Sequence, residues 1–288
     1  MAVALALFSA LAYGVSDFVG GLISRRASAW AVAVLANLSS TVCVAVIAAF
    51  VPGEPTATDF AWAALAGLGS GAGTGFLYRG FSSGRMSVVA PVSAVGAALV
   101  PVVAGGLGGE RLSLLVWLGI VAALPGIWLV ASVPEDDLSR VGGGTTSTGR
   151  AGLAEGLVDG VLAGLGFGVL FAALGQIPDS AGLWPLTLSQ AVSVPVVIGL
   201  AVVLRAAWVP RGRPVRWALL AGPISAVATG SFLLATQQGF LTIAGVLASL
   251  YPASTVLLAA LILHERVHRA QGLGLVLCAA AVVLVAVG

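Results

Sequence analysis

The chain has 288 residues, 59% of them hydrophobic and only 8% charged, with a net charge of +2 and a mean hydropathy of +1.09. Soluble domains carry roughly 25% charged residues, so this composition excludes a water-soluble globule and points to an integral membrane protein. The 13 basic residues are all Arg and lie scattered, which gives no patch for nucleic acid, and no nucleic-acid partner is expected.

A membrane-spanning helix needs about 20 mostly apolar residues. Ten such runs lie near 2–22, 30–51, 61–80, 86–107, 113–133, 155–176, 183–205, 216–235, 241–263 and 270–287. The first begins at Met1 without the basic segment of a cleavable signal, so it reads as a retained helix. Cys43 and Cys278 fall inside apolar runs and read as small buried hydrophobes, not as a disulfide. The 39 glycines suit helices whose backbones approach closely in lipid. One long polar segment, 134–153 (PEDDLSRVGGGTTSTGRAGL), reads as a flexible linker. It separates residues 1–133 from residues 154–288, with five apolar runs in each.

The two halves repeat one another. At an offset of 155, Trp62, Ala63, Gly67, Ser70, Thr74 and Gly75 meet Trp217, Ala218, Gly222, Ser225, Thr229 and Gly230. Residues 90–111 (APVSAVGAALVPVVAGGLGGER) are echoed by 245–266 (GVLASLYPASTVLLAALILHER), both ending on Glu-Arg. At an offset of 154, LAYGV from Leu11 resembles LGFGV from Leu165. This is a duplicated unit. An odd number of helices per unit turns the second copy upside down in the membrane. Inverted repeats are a recurring plan of secondary transporters, with the substrate site near the midplane at the repeat interface. The expected fold is therefore all-α, ten transmembrane helices as two inverted five-helix repeats.

These features together, with Tyr13-Gly14 in the first helix and a Pro-containing fourth helix ending in Gly-Glu-Arg, resemble the EamA-type branch of the drug/metabolite transporter superfamily. The resemblance spans nearly the whole chain. It implies a ten-helix carrier of small organic solutes, often an exporter of amino acids, metabolites or drugs. The chain departs from the pattern at Gly96-Ala97, where the second repeat has Tyr251-Pro252, and at His264, where the first has Gly109.

The loops after the odd-numbered runs hold every Arg except Arg111. The positive-inside rule then puts both termini outside, whereas the resemblance implies both termini in the cytoplasm. The two arguments disagree, and orientation stays open.

Several polar residues inside the runs are candidates for binding a substrate or ion. Asp17 is foremost, because a carboxylate within a membrane is costly and by default functional. Tyr13 lies four residues earlier on the same helix face. That face is expected to line a cavity, with Asp17 taking a cationic substrate group or a coupling proton. The structural alternative pairs Asp17 with Arg25 or Arg26. Asn37 and Gln190 occupy nearly equivalent places in the two repeats, where they either bind substrate or bond neighbouring helices. Arg79 either holds a carboxylate substrate or snorkels to the interface. Gln237, beside Gln238, ends the eighth run, and Asp159 is expected to face water. Pro91, Pro101, Pro195, Pro223 and Pro252 lie within runs, and Tyr251-Pro252 is the best candidate for a bent, cavity-facing helix. Glu110 and Glu265, each beside an Arg, read as structural groups at helix ends.

His264-Glu265-x-x-His268 is a literal zinc-protease pattern. The repeat weakens it, because Gly109 and Ser113 stand where the histidines do. GLGSGAG at 67–73 lacks the lysine of a phosphate-binding loop. The reading is a secondary transporter of a small organic solute, multi-pass in a bacterial plasma membrane, working by alternating access and not as an enzyme. Its expected partners are a small-molecule substrate, a coupling proton and the lipid bilayer, with no cofactor or metal. The alternatives are an intramembrane zinc metalloprotease and a non-transporting scaffold or sensor.

Overall fold

Apolar runs of this length satisfy their backbone groups internally only as helices when no water is at hand, and helices are what the chain forms. The computed structural model describes residues 1–83, 86–131, 150–212, 214–262 and 269–288. In order, α1 is Ala2–Ser24, α2 Ala29–Ala48, α3 Ala57–Ser82, α4 Met86–Leu107 and α5 Leu114–Ala131. Then come α6 Arg150–Leu174, α7 Trp184–Val203, α8 Ala218–Gln237, α9 Leu241–Ala248, α10 Tyr251–Ile262 and α11 Arg269–Val287. Two short 3-10 turns, Asp179–Ala181 and Pro214–Trp217, precede α7 and α8. Among the described residues there is no strand. Eight helices are long and apolar enough to cross a membrane, and Leu114–Val130 and Leu241–Ser254 are shorter apolar stretches. Most of the expected linker 134–153, and all of His264-Glu265-x-x-His268, lie outside the described residues.

The ninth apolar run is not one helix, as expected, but two. Pro252 has no N–H to offer, so the α-helical ladder stops at Ser249-Leu250. There Leu250 N–H bonds Leu247 O at 3.2 Å, and Ser249 Oγ donates to Gly245 O at 2.8 Å. Pro91, Pro101, Pro195 and Pro223 lie inside helices that continue past them. The start of α3 is fixed by a reciprocal cap: Thr56 N–H donates to Asp59 Oδ2 at 2.8 Å, and Asp59 N–H to Thr56 Oγ1 at 3.3 Å.

The burial pattern is inverted relative to a soluble protein. Large apolar side chains such as Val42, Val46, Leu68, Val121, Val202 and Val276 are exposed, while Ser9, Ser40, Ser93, Ser189, Ser193, Asn37 and Gln190 are buried. In lipid, exposed apolar surface is at no disadvantage, and helices associate through small residues and interhelical hydrogen bonds.

Helix α3 is the clearest case. Its Gly67 and Gly71 lie against the backbone of α7 at Ser189 and Ser193, and a Cβ there would come within 2.7 Å of a carbonyl oxygen. Gly69 and Gly73, turned to the other side, meet Gly166 and Phe167 of α6. The remaining face carries Ser70 and Thr74. One glycine-rich stretch thus gives two packing stripes and one polar stripe, each at i, i+4 spacing.

The halves interlock helix by helix. Helix α1 packs on α8 and α3 on α6; α2 packs on α8 and α3 on α7; α5 packs on α11. The first helix of each half therefore lies on the third helix of the other, a reciprocal exchange.

Candidate functional site

Where α1, α2, α3, α6 and α8 meet, they line a narrow, partly open cavity. The space is thin, admitting water-sized guests and little more in this conformation. Its lining is largely paired by the repeat. Tyr13 and Phe167, and Ser16 and Leu170, are related by the offset of 154; Ser70 and Ser225, and Thr74 and Thr229, by the offset of 155. The other four lining residues, Asp17, Ala36, Asn37 and Tyr78, all come from the first half. The hydroxyl groups are shared between the halves, and the charge and the amide are not.

Three side chains sew α1 to α8. Ser9 Oγ donates to Ala228 O at 2.8 Å, Tyr13 Oη to Thr229 Oγ1 at 3.0 Å, and Ser16 Oγ to Ala221 O at 3.2 Å. Spacings of four and three put them on one helix face. Thr229 Oγ1 in turn donates to Ser225 O at 2.7 Å. Under Tyr13, Phe171 meets its ring edge-on at 5.7 Å and stacks on Phe232 at 4.4 Å, a rigid aromatic base.

Asp17 follows Ser16 on this face and lines the cavity. No cation among the described residues pairs with it; the ion pair found there belongs to Arg79 and Asp159. The alternative pairing with Arg25 or Arg26 is therefore not made. The chain has three tyrosines, and all three are buried within electrostatic range of this carboxylate: Tyr13, Tyr78 and Tyr251. Gly20 lets Tyr78 come so close, because a Cβ there would collide with the phenol oxygen. Asn37, from α2, is 5% exposed, and its Nδ2 has no hydrogen-bond partner among the described residues.

Of the expected site residues, the structure brings Tyr13, Asp17 and Asn37 to the cavity wall. Tyr251 stands behind it, its hydroxyl 3.1 Å from Ser93 Oγ. The others are engaged elsewhere. Gln190 Nε2 donates to Ser40 Oγ at 2.7 Å and ties α7 to α2. Gln237 Nε2 reaches Ile177 O at 3.4 Å, beyond the end of α6.

Arg79 donates through Nε to Asp159 Oδ1 at 2.8 Å and pairs with the same oxygen through its Nη2. Its guanidinium also lies 4.9 Å over the Phe76 ring. This corrects the expectation that Asp159 faces water: it is 0% exposed, because Arg79 comes from α3 to meet it on α6. A buried carboxylate needs such a partner.

Sequence reasoning missed Ser16, Ser70, Thr74, Tyr78, Ser225 and Thr229. The signal for four of them was present, since Ser70, Thr74, Ser225 and Thr229 are polar identities of the repeat at i, i+4 spacing. Among the described residues, no group of three or more His, Cys, Asp or Glu could hold a metal.

The EamA-like transporter family model matches the chain twice, over residues 1–132 and 154–287. A solved structure titled "Crystal structure of protein" superposes with a TM-score of 0.68 at 15% identity, over 99% of this chain and 94% of that one, a likeness of fold. No curated protein matches the chain. With both halves matched, the chain belongs to the EamA-like transporter family, membrane transporters of the drug/metabolite transporter superfamily.

Proposed function

We propose that the chain is a secondary transporter that moves a small organic solute across a bacterial plasma membrane by alternating access. In this reading the eight long helices, α5, and α9 with α10 make ten spans, arranged as two inverted five-helix repeats. The carrying observation is the cavity at the seam of the two halves, with the lone carboxylate of Asp17 on its wall. A charge held inside a membrane without a partner costs stability, and its natural use is to receive a cationic group or a coupling proton. The reciprocal packing of α1 on α8 and α3 on α6 supports a rocking pair, since each contact has a counterpart in the other half. Asp17, Tyr13 and Asn37 contact the solute; Tyr251 backs them beside the broken helix; Arg79, Gln190 and Gln237 hold helices together.

Flux in proteoliposomes tests this. Protein reconstituted with a panel of radiolabelled amino acids, amines, nucleosides and sugars is expected to move one class of solute down its gradient, faster with an opposing pH gradient. Asp17→Asn is expected to abolish the pH-driven part. Full transport by Asp17→Asn at every pH would end the role given to the carboxylate, and no flux of any solute would end the transporter reading.

A further inference from the structure

Among the described residues the cavity wall has one charged group, Asp17, one buried amide donor without a partner, Asn37 Nδ2, and the hydroxyls of Ser70, Thr74 and Ser225. Tyr13, Ser16 and Thr229 spend their hydroxyl hydrogens on protein acceptors. Among the described residues no cation pairs with the carboxylate of Asp17, and the buried Nδ2 of Asn37, a residue of the same wall, has no hydrogen-bond partner. A buried donor left without a partner is costly, and a guest can recover that cost by supplying an acceptor. Among the described residues, the lining holds no basic residue. A guest that neutralises the cavity therefore carries one positive charge and no negative one. A zwitterion would leave the dry site with net negative charge and its own carboxylate facing only neutral donors. The apolar remainder of the wall, Phe167, Leu170 and Ala36, suits a small aliphatic body.

We infer that the cavity takes a small organic monocation, its ammonium on Asp17 and a neutral hydrogen-bond acceptor, such as a carboxamide or hydroxyl oxygen, on Asn37 Nδ2. This rests on the transporter reading and names its substrate class. It makes amides and alcohols of short aliphatic amines better guests than free amino acids.

Four probes of one shape separate the terms: leucinamide, isoamylamine, leucine and 4-methylpentanoate. They present the cation with a neutral acceptor, the cation alone, the zwitterion and the anion alone. Calorimetric titration of the detergent-solubilised full chain at pH 7 is expected to give leucinamide at least tenfold tighter than isoamylamine, leucine weaker than both, and no heat with 4-methylpentanoate. Asn37→Leu is expected to remove the tenfold preference for leucinamide over isoamylamine, and Asp17→Asn to weaken both amines by at least tenfold. Asn37→Ser, a smaller change, keeps the test available if the Leu variant does not fold. Leucine or 4-methylpentanoate binding as tightly as leucinamide overturns the inference, as does an undiminished preference in both Asn37 variants, or no heat from any probe. Continued flux of another solute in proteoliposomes would then leave the transporter reading standing while this substrate class falls.

Discussion

The hydroxyl of Tyr13 donates to Thr229 Oγ1 at 3.0 Å, joining α1 of the first half to α8 of the second at the cavity wall. It is one of three bonds along the same seam, so two others remain to hold the helices when it is lost. Interhelical hydrogen bonds in membranes average about 0.6 kcal/mol. Tyr13→Phe is accordingly expected to cost less than about 1.5 kcal/mol of stability, yet to lower transport several-fold. Thermal melts in detergent beside flux assays check it, and a large stability loss with unaltered flux would contradict it.

Arg79 and Asp159 are unequal partners. Asp159 is sealed within the helix packing, while the Arg79 side chain keeps 31% exposure. Removing the arginine takes the guanidinium from a buried carboxylate, which costs about 3–5 kcal/mol. Removing the acid leaves a cation that still reaches water or headgroups. Arg79→Ala is therefore expected to destabilise the protein more than Asp159→Asn, by about 2 kcal/mol on the same scale. Chemical unfolding in mixed micelles measures the difference, and equal losses would argue against it.

Glu110 gives the first copy of the recurrent Glu-Arg a physical role. Its two carboxylate oxygens accept the N–H groups of Leu241 and Thr242, at 2.6 and 3.1 Å, at the first turn of α9. A carboxylate there satisfies orphan donors and faces the positive end of the helix. Glu110→Ala is expected to cost about 1–2 kcal/mol, with Glu110→Gln losing less because it keeps one acceptor. Amide exchange should quicken at residues 241–248 in the Ala variant; unchanged protection there would remove the cap.

Gly166 lets α6 lie directly on α3. A Cβ on it would sit 2.6 Å from Gly73 N and 2.7 Å from Gly69 O, backbone atoms that cannot swing aside. Gly166→Ala is expected to cost about 1–3 kcal/mol through forced separation of the helices. Gly199, whose Cβ position meets nothing within 4 Å, is the control, and Gly199→Ala is expected to be neutral or slightly stabilising. Parallel melts of the two variants decide this, and equal behaviour would refute the close-contact account.

The class of protein was legible in the residues alone, and they pointed to a repeat and to Asp17. Hydropathy reports how many apolar runs exist, because each helix must satisfy its own backbone in lipid. A repeat offset survives in identities such as Trp62 with Trp217. A lone Asp in an apolar run is conspicuous whatever surrounds it. Partnership is decided elsewhere. Asp17 and Asp159 are both acids within or beside apolar runs, and local sequence does not tell which has an arginine. The answer came from α3, which delivers Arg79 to Asp159 across 80 positions of chain, while among the described residues no cation reaches Asp17.

Asn37 and Gln190 look equivalent in sequence, yet Gln190 finds Ser40 while the buried amide nitrogen of Asn37 has no partner among the described residues. The break in the ninth run was foreshadowed by Tyr251-Pro252, though its extent was not. Hydrogen bonds and ion pairs between helices form between residues 80 to 219 positions apart here, and the 3.6-residue period of a helix carries information only about its own faces. Tertiary packing therefore decided which polar groups are used up in holding the helices and which remain to meet a guest.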